Sequence, residues 1–365
     1  MNTWLRAALG RSLARKSHSS TPATSQLVAL QIAGQASWTP RTYQALAKEG
    51  YQRNAVVYRC IRMIAESAAS VPFQIGSKVD AYTRQKVETL LAFPNPKVSR
   101  AEFMEAHYGY LKLSGDAYLE AVIVNDEPVA LYTLRPDRVR AIVGKTGWPV
   151  AWEYRAGSNK KHYPIDPVSG RSSIHHMRLF HPSDDLVGFS PLAAAAQAVD
   201  VHNAGGVWTK SLLDNSARPS GALIYKGAPG ERLDDDQFAR LKSELETHHA
   251  GAKSAGRPLL LEGGLDWKSM SHTPADMDFI NARRDAAREI ALAFGVPPML
   301  LGIPGDNTYA NYKEANSAFW RQTIYPLVNK TAESFALWLR PWLGEDLHIT
   351  ANMEAIPAEN KELDT

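Results

Sequence analysis

Residues 99–124, SRAEFMEAHYGYLKLSGDAYLEAVIV, change from a helical to an extended pattern at a single glycine. Ser99 followed by Glu102 forms a capping box, which predicts that a helix begins here. Gly115 is typical of the residue that follows a helix. From Ala117 onward, β-branched and aromatic residues predict a strand. The stretch therefore predicts an α+β fold, in which helix and strand follow each other directly.

The neighbouring segments carry local signals of the same kind. Asn54 is a typical N-cap, and the apolar spacing after it predicts a helix that ends at Val71-Pro72. After Gly115, short segments separated by Pro, Gly and Asp predict a small, largely antiparallel sheet. Its predicted strands are Ala117–Val124, Ala130–Leu134, Val139–Val143, Val150–Tyr154 and Ile174–His181.

Two helices bracket a compact insertion in the second half of the chain. Ser190-Pro191 predicts the start of the first helix, which is crowded with alanine and glycine and ends at Arg218-Pro219. Thr273–Asp276 predicts the start of the second helix, and Gly295 its end. The pair can form a stalk with a separate lobe at its tip. The other predicted elements are strands at Ala222–Lys226, Pro258–Glu262 and Leu265–Ser269, and helices at Asp234–His249 and Lys313–Leu339, the last kinked at Pro326.

The composition, 44% hydrophobic and 22% charged over 365 residues, is typical of a globular protein. The single cysteine, Cys60, excludes an internal disulfide and a cysteine metal site, and it fits the apolar face of its helix. No apolar run reaches the ~18 residues that span a bilayer, so we expect no membrane contact. Residues 1–53 carry a net charge of +6 and residues 342–365 one of −5. These charges predict a disordered basic N-terminal arm, favoured over an organelle transit peptide, and an acidic tail.

Motifs for enzymatic chemistry are incomplete. Gly144-Lys145-Thr146 ends like a phosphate-binding loop, but Val139 stands where that motif requires glycine. Gly188-Phe189-Ser190 begins like a nucleophile elbow, but Leu192 stands where that motif requires glycine. Ser190 fits better as a helix cap. We therefore predict no catalytic residue, no cofactor site and no metal site.

One alternative stays open, a metal-dependent nuclease or hydrolase. It would use His175 and His181, which share one face if their strand stays regular, together with Asp234–Asp236. The simpler interpretation is a hydrogen-bonded or exposed role for the histidines. The three aspartates would then complement the dipole at the start of a helix.

Several stretches, in sequence order, resemble the portal proteins of HK97-like tailed phages from about Asn54 to Leu339. They include VYRCIRMIAESAASVPFQI, LLAFPNPKVSRAEFMEAHYGYLKLSGDAYLEAVI, LYTLRPDRVRAIV, GFSPLAAAAQAV, RPSGALIY, REIALAFGVPPMLLG and DNTYANYKEANSAFWRQTIYPL. Family members usually carry asparagine where this chain has Asp116. The resemblance implies a structural protein and not an enzyme: a homo-dodecameric ring at one capsid vertex, through which double-stranded DNA is packaged and ejected without sequence reading. The implied partners are the large terminase, a head–tail adaptor and the major capsid protein. The implied location is a virion or a gene transfer agent particle, assembled in the cytoplasm of a bacterial host.

The resemblance also implies a division of the chain into segments. They are a basic arm (1–37), an α+β wing (38–189), a first stem helix (190–218), a clip (219–273), a second stem helix (274–296), a tunnel-loop region (297–312), a long wing helix (313–341) and an acidic tail or vestigial crown (342–365). The clip would dock terminase and adaptor through Asp234, Asp235, Asp236, Lys242 and Glu246. The tunnel loop would face DNA with Gly305, Asp306, Asn307, Thr308, Tyr309 and Asn311.

The second stem helix carries charges of both signs on one side: Arg283, Arg284, Asp285, Arg288 and Glu289. One hypothesis is that these arginines pair with acids of a neighbouring subunit and close the ring. Ordinary pairs between residues i and i+4 of the same helix are an equally good explanation.

Overall fold

The structure is a computed structural model that describes residues 37–214, 221–225, 234, 236–241, 243, 265–269, 278–304 and 309–355. The predicted basic arm and the end of the acidic tail lie outside these residues. Among the described helices, none is long and apolar enough to cross a membrane.

Four helices precede the sheets. Helix α1 begins at Tyr43–Ala45 and continues with π-helical hydrogen bonding through Leu46–Gln52. Helix α2 (Ala55–Ser70) and helix α4 (Arg100–Ser114) start at Asn54 and at the Ser99 capping box, as predicted. Helix α3 (Ala81–Ala92), capped by Asp80, was not predicted. Gly115 ends α4 with a φ of 86°, which explains why glycine stands there.

The predicted antiparallel sheet is present as two three-stranded sheets. Strand β2 (Asp116–Val124) lies between β3 (Glu127–Leu134) and β7 (Ile174–Arg178). Strands β4 (Val139–Val143), β5 (Pro149–Ala156) and β6 (Asn159–Pro164) form a meander. Strand β1 (Phe73–Ile75) pairs antiparallel with β10 (Ile349–Ala351), so the last strand that the structure describes pairs with the first. Our prediction that the strand from Ile174 reaches His181 was wrong, because β7 ends at Arg178.

The second half is mainly helical. Helices α5 (Pro191–Ala194) and α6 (Ala196–Asp214) follow the Ser190 cap, and α7 covers Phe279–Phe294. Between them β8 (Gly221–Tyr225) pairs with β9 (Leu265–Ser269), whereas the predicted strand Pro258–Glu262 lies outside the described residues.

The last long helix starts earlier and ends later than predicted. Helix α8 covers Tyr309–Phe319, a π-helical segment follows at Trp320–Ile324, and α9 covers Tyr325–Leu343. The hydrogen-bonding pattern thus changes directly before Pro326, whose ring nitrogen has no hydrogen to donate.

Two hydrophobic cores hold these elements together. The larger core joins α2, α4, α7 and α9, and its fully buried side chains include Ile64, Leu111, Ile290 and Phe335. The smaller core lies between the two sheets and contains Tyr118, Leu134, Trp152, Tyr163 and Ile174. Cys60 is buried in the larger core, as its position on α2 predicted.

Candidate functional site

Helices α6 and α7 pack against each other in the region predicted to be the stem. Ala287, Ile290, Ala291 and Phe294 of α7 are buried, whereas the Ile280 side chain is 67% exposed. Arg283 lies across α6. A Cβ atom added at Gly205 or Gly206 would stand 4.0 Å from the Arg283 side chain. The two glycines therefore leave room for an arginine of the same chain.

The other side of α7 carries exposed charges that are not paired along the helix. Arg284, Asp285, Arg288 and Glu289 are exposed, and no ion pair within 4.0 Å joins them to each other or to any other described residue. Arg284 and Arg288 are four residues apart, and so are Asp285 and Glu289, so each i, i+4 pair has like charges. Such pairs destabilise an isolated helix by a few tenths of a kcal/mol. The explanation by ordinary pairs along the helix therefore finds no support in the described geometry.

Polar contacts hold the start of α6 against the N-terminal helices. Asp200 accepts hydrogen bonds from the backbone N–H of Thr39, at 2.8 Å, and from its hydroxyl, at 2.5 Å. The Asn54 side-chain amide donates to Asn203 Oδ1 at 3.0 Å, and the Asn203 amide donates to the Glu49 carbonyl at 2.8 Å. The first turns of α6 are therefore anchored to α1 and α2.

A second network fixes the place where the chain leaves the sheet and enters α5. The Asp116 carboxylate, at the start of β2, accepts from His176 Nε2 at 2.7 Å and from the Gly188 backbone N–H at 2.8 Å. Because an ionised carboxylate can only accept, the hydrogen on His176 belongs on Nε2. A Cβ atom at Gly188 would stand 2.0 Å from the Gly115 carbonyl oxygen. The Ser190 hydroxyl donates to the Leu113 carbonyl at 2.8 Å.

The histidines of β7 and the loop beyond it do not form a metal site. His175 is buried, with Nε2 2.7 Å from the Ser334 hydroxyl and its ring against Phe335 and Trp338. Burial, with the nearby His107 and His176, holds the His175 pKa well below its ordinary value. His181 lies beyond the end of β7, and its ring packs on Phe189. The strand therefore ends before His181, and the condition under which His175 and His181 would share a face is not met.

The aspartates of the alternative site are caps or lie outside the described residues. Asp234 Oδ1 accepts from the Gln237 backbone N–H at 2.7 Å, and both Asp234 and Asp236 are exposed. Asp235, Lys242 and Glu246 lie outside the residues whose side chains are described. In the part of the chain that the structure describes, no three His, Cys, Asp or Glu side chains are arranged to hold a metal ion. The nuclease alternative thus has no assembled site among these residues.

The residues predicted to face DNA are only partly described. Gly305, Asp306, Asn307 and Thr308 lie outside the described ranges. Tyr309 and Asn311 belong to the first turn of α8. Just before the gap, the Arg288 guanidinium donates to the Pro304 carbonyl at 2.5 Å, which ties α7 to the entry of this segment.

The family follows from comparison with known proteins. A model of the phage portal protein family matches residues 55–363. The chain belongs to this family. It is 47% identical to a chain in the neck of a native gene transfer agent (GTA) particle computed with C12 symmetry, with a TM-score of 0.67 over 89% of this chain and 88% of the other.

Two further relatives extend the match. An uncharacterized protein of Rickettsia bellii is 40% identical over 312 residues, 85% of this chain and 80% of the relative. The portal protein of Enterobacteria phage HK97 is 26% identical over 315 residues, 83% of this chain and 71% of the relative. The resemblance to HK97-like portals and the predicted α+β portal fold are confirmed. The protein is a portal protein of the kind found in phage and GTA particles.

Proposed function

We propose that this portal protein forms a dodecameric ring at one capsid vertex and provides the channel for packaging and ejecting double-stranded DNA. The observation that carries the proposal is the 47% identity, over 89% of the chain, to a chain in a GTA neck computed with C12 symmetry. The ring would assemble in the cytoplasm of a bacterial host and contact the major capsid protein. It would have a structural role and no catalytic one.

The charged face of α7 supports contact between subunits. Identical subunits in a ring of cyclic symmetry meet through two different surfaces, so a face needs a complement elsewhere on the chain. Arg284 and Arg288 form a basic row, and Asp285 and Glu289 an acidic row beside it. We assign the basic row of one subunit to contact with the acidic row of the next subunit. Arg283 is assigned to packing within the subunit, because its side chain lies over Gly205 and Gly206.

The insertion between α6 and α7 would be the clip, which docks the large terminase and later the head–tail adaptor. The β8–β9 pair at its base and the exposed Asp234 and Asp236 are consistent with a small lobe that presents acidic groups. Asp235, Lys242 and Glu246 complete the proposed docking set.

Residues 305–308, with Tyr309 and Asn311, would form the tunnel loop that faces DNA. A channel has to pass DNA without holding it, since each phosphate that is neutralised tightens binding.

The ring is tested by light scattering and negative-stain imaging of the purified full chain. Rings with a central hole, about twelve times the 40.2 kDa chain mass, are expected. The double variant R284E/R288E should fail to form rings, because two acidic rows then face each other. Adding D285R/E289R should restore rings, because a basic row of one subunit again faces an acidic row of the next. The exposed pair Lys78 and Lys97, changed to glutamate, is the control and should leave rings intact. A lasting monomer with metal-dependent activity on DNA would contradict the proposal.

A further inference from the structure

The meander β4–β5–β6 has a strongly basic character that the channel model does not use. Residues 138–164 contain six Lys and Arg side chains and one acid, Glu153, which gives a net charge of +5, whereas the whole chain carries +3. The cations are therefore concentrated on one small sheet.

Strand register separates the two faces of this sheet. Trp152 lies opposite Tyr163, and both are buried in the smaller core, so they define the inner face. Lys161 belongs to this face, because its amino group pairs with Glu120 of β2 at 2.7 Å. Side chains alternate along a strand. The outer face therefore carries the exposed side chains of Arg140, Arg155, Lys160 and His162.

The arrangement of charges on the outer face is unfavourable for the isolated chain. Arg155 and Lys160 are directly opposite each other on β5 and β6, and like charges in such positions destabilise a sheet. Arg140 and Lys160 have no ion pair with any residue that the structure describes. Arg140 on β4 and Lys160 on β6 thus lack a paired acid, while Arg155 between them on β5 is paired with Glu153. Two unpaired cations and a like-charge pair on one face indicate an anionic partner.

The one acid on this face is already engaged. Glu153 is buried, accepts from the Arg155 guanidinium, and has His162 Nε2 at 3.0 Å. These hydrogen bonds from His162 and Arg155 lower the Glu153 pKa to about 2. The carboxylate therefore stays ionised, and it holds Arg155 and His162 in place on this face.

We infer that this outer face, made of Arg140, Arg155, Lys160 and His162, binds the sugar–phosphate backbone of double-stranded DNA outside the channel. Neighbouring strands lie about 4.8 Å apart and alternate residues about 7 Å apart, so the cations form a flat grid that can follow phosphates but cannot enter a groove. Binding would therefore be independent of sequence. The choice of DNA over an acidic protein rests on the proposed function, which brings packaged DNA to the portal.

The sheet is also built apart from the helices proposed to line the channel. Its core residues, Trp152 and Tyr163, pack with Tyr118, Leu134 and Ile174 of the β2–β3–β7 sheet. The buried residues of α6 and α7, such as Val199 and Ile290, belong to the larger core. The basic face is thus the outer face of the β4–β5–β6 sheet, whose inner face packs against the β2–β3–β7 sheet.

The test measures binding of the assembled full chain to covalently closed circular duplex DNA, which cannot thread a closed ring. Affinity is determined over a series of salt concentrations by filter binding. Each phosphate contact contributes about 0.9 to the slope of log Kobs against log salt. The variant R140Q/R155Q/K160Q should therefore lower the magnitude of the slope by up to about 2.7 for each subunit in contact.

Two further variants make the result specific. K160E replaces one of the three cations by an acid, so it should lower the magnitude of the slope with a single substitution. The control R41Q/K78Q/K97Q removes three equally exposed cations elsewhere and should bind circular DNA like the wild type.

The outcomes separate this inference from the proposed ring. If the triple variant forms rings and binds circular DNA with the wild-type slope, the basic face is not a DNA surface, although the ring proposal stands. If the wild-type protein does not bind circular DNA even at low salt, the inference is also wrong, and an acidic protein becomes the better match. A lower slope for both R140Q/R155Q/K160Q and K160E, with the control unchanged, supports the inference whether or not rings form.

Discussion

Replacement of Asp116 by alanine tests the network at the junction between the sheet and α5. The carboxylate accepts from two groups, His176 Nε2 and the buried Gly188 N–H, at 2.7 and 2.8 Å. Without it both donors are left unsatisfied, and each such group costs about 1–3 kcal/mol when buried. We therefore expect D116A to lower the free energy of unfolding by about 4 kcal/mol. D116N keeps an accepting oxygen and loses only the charge, so it should cost about 1–2 kcal/mol.

Urea unfolding at neutral pH, followed by circular dichroism with all proteins in the same assembly state, gives these values. Asp166 provides a matched control, because its Oδ1 also accepts from two backbone N–H groups, those of Val168 and Ser169, but in an exposed turn. D166A should cost less than about 1 kcal/mol, since water replaces the lost acceptor. A cost of D116A no larger than that of D166A, or a D116N variant as destabilised as D116A, would show that the Asp116 carboxylate does not stabilise this junction.

Three further predictions concern single side chains. G188A should cost at least about 3 kcal/mol in thermal unfolding, because its Cβ would lie 2.0 Å from the Gly115 carbonyl oxygen and backbone cannot yield; a midpoint like that of the wild type would contradict this. H107L should raise stability at pH 7 by about 1–3 kcal/mol, because both ring nitrogens of His107 are buried without a partner. Burial lowers the His107 pKa to about 3, so between pH 6.5 and pH 3 only the unfolded chain takes up this proton. As the pH falls through this range, the free energy of unfolding of the wild type should therefore decrease by about 1.4 kcal/mol per pH unit more than that of H107L. Urea midpoints of both proteins at pH 7 and pH 5 would show the difference. G205A should raise the free energy of unfolding of the unassembled chain by about 1 kcal/mol, seen as a higher thermal midpoint, because its Cβ only touches Arg283 at 4.0 Å and alanine favours a helix. A lower midpoint would show that the packing is tighter.

Local signals in the sequence predicted the elements whose ends are set by neighbouring residues. The Ser99 capping box and Gly115 bound α4 because a side chain and a left-handed glycine satisfy the backbone groups at its two ends. Helix α3 was missed because only Val87, Leu90 and Leu91 are buried, which leaves no continuous apolar stripe to recognise. Strand β6 was missed for a similar reason, since it buries a single side chain, that of Tyr163.

The site depends on contacts that no local pattern encodes. Asp116, His176 and Gly188 come together because β7 pairs with β2, and that register could not be read from three separated residues. The departure from the usual asparagine at position 116 was the one available signal that this place is unusual. The histidines show the opposite failure: the strand was predicted to continue to His181, but it ends at Arg178, so the alternation that would have placed His181 with His175 does not apply.

The direction in which the chain leaves the sheet is fixed by backbone contacts more than by side chains. Gly115 and Gly188 are packed so closely that neither tolerates a Cβ atom, and the Leu179 N–H donates to the Gly115 carbonyl at 2.8 Å beside them. The Asp116 carboxylate and the Ser190 hydroxyl then hold both sides of this contact. None of these groups lies on the exposed faces of α6 or α7. Charges on those faces can therefore change without altering the direction in which the chain leaves the sheet and enters the helices. We therefore expect R284E/R288E to abolish rings while lowering the unfolding midpoint by much less than D116A does, because the one described contact it removes is the exposed hydrogen bond from Arg288 to the Pro304 carbonyl. D116A should lower the midpoint with the charged rows intact. If instead the charge reversals on α7 lowered the midpoint as much as D116A does, the rows would be part of the subunit's own fold, and the separation of folding from assembly would be wrong.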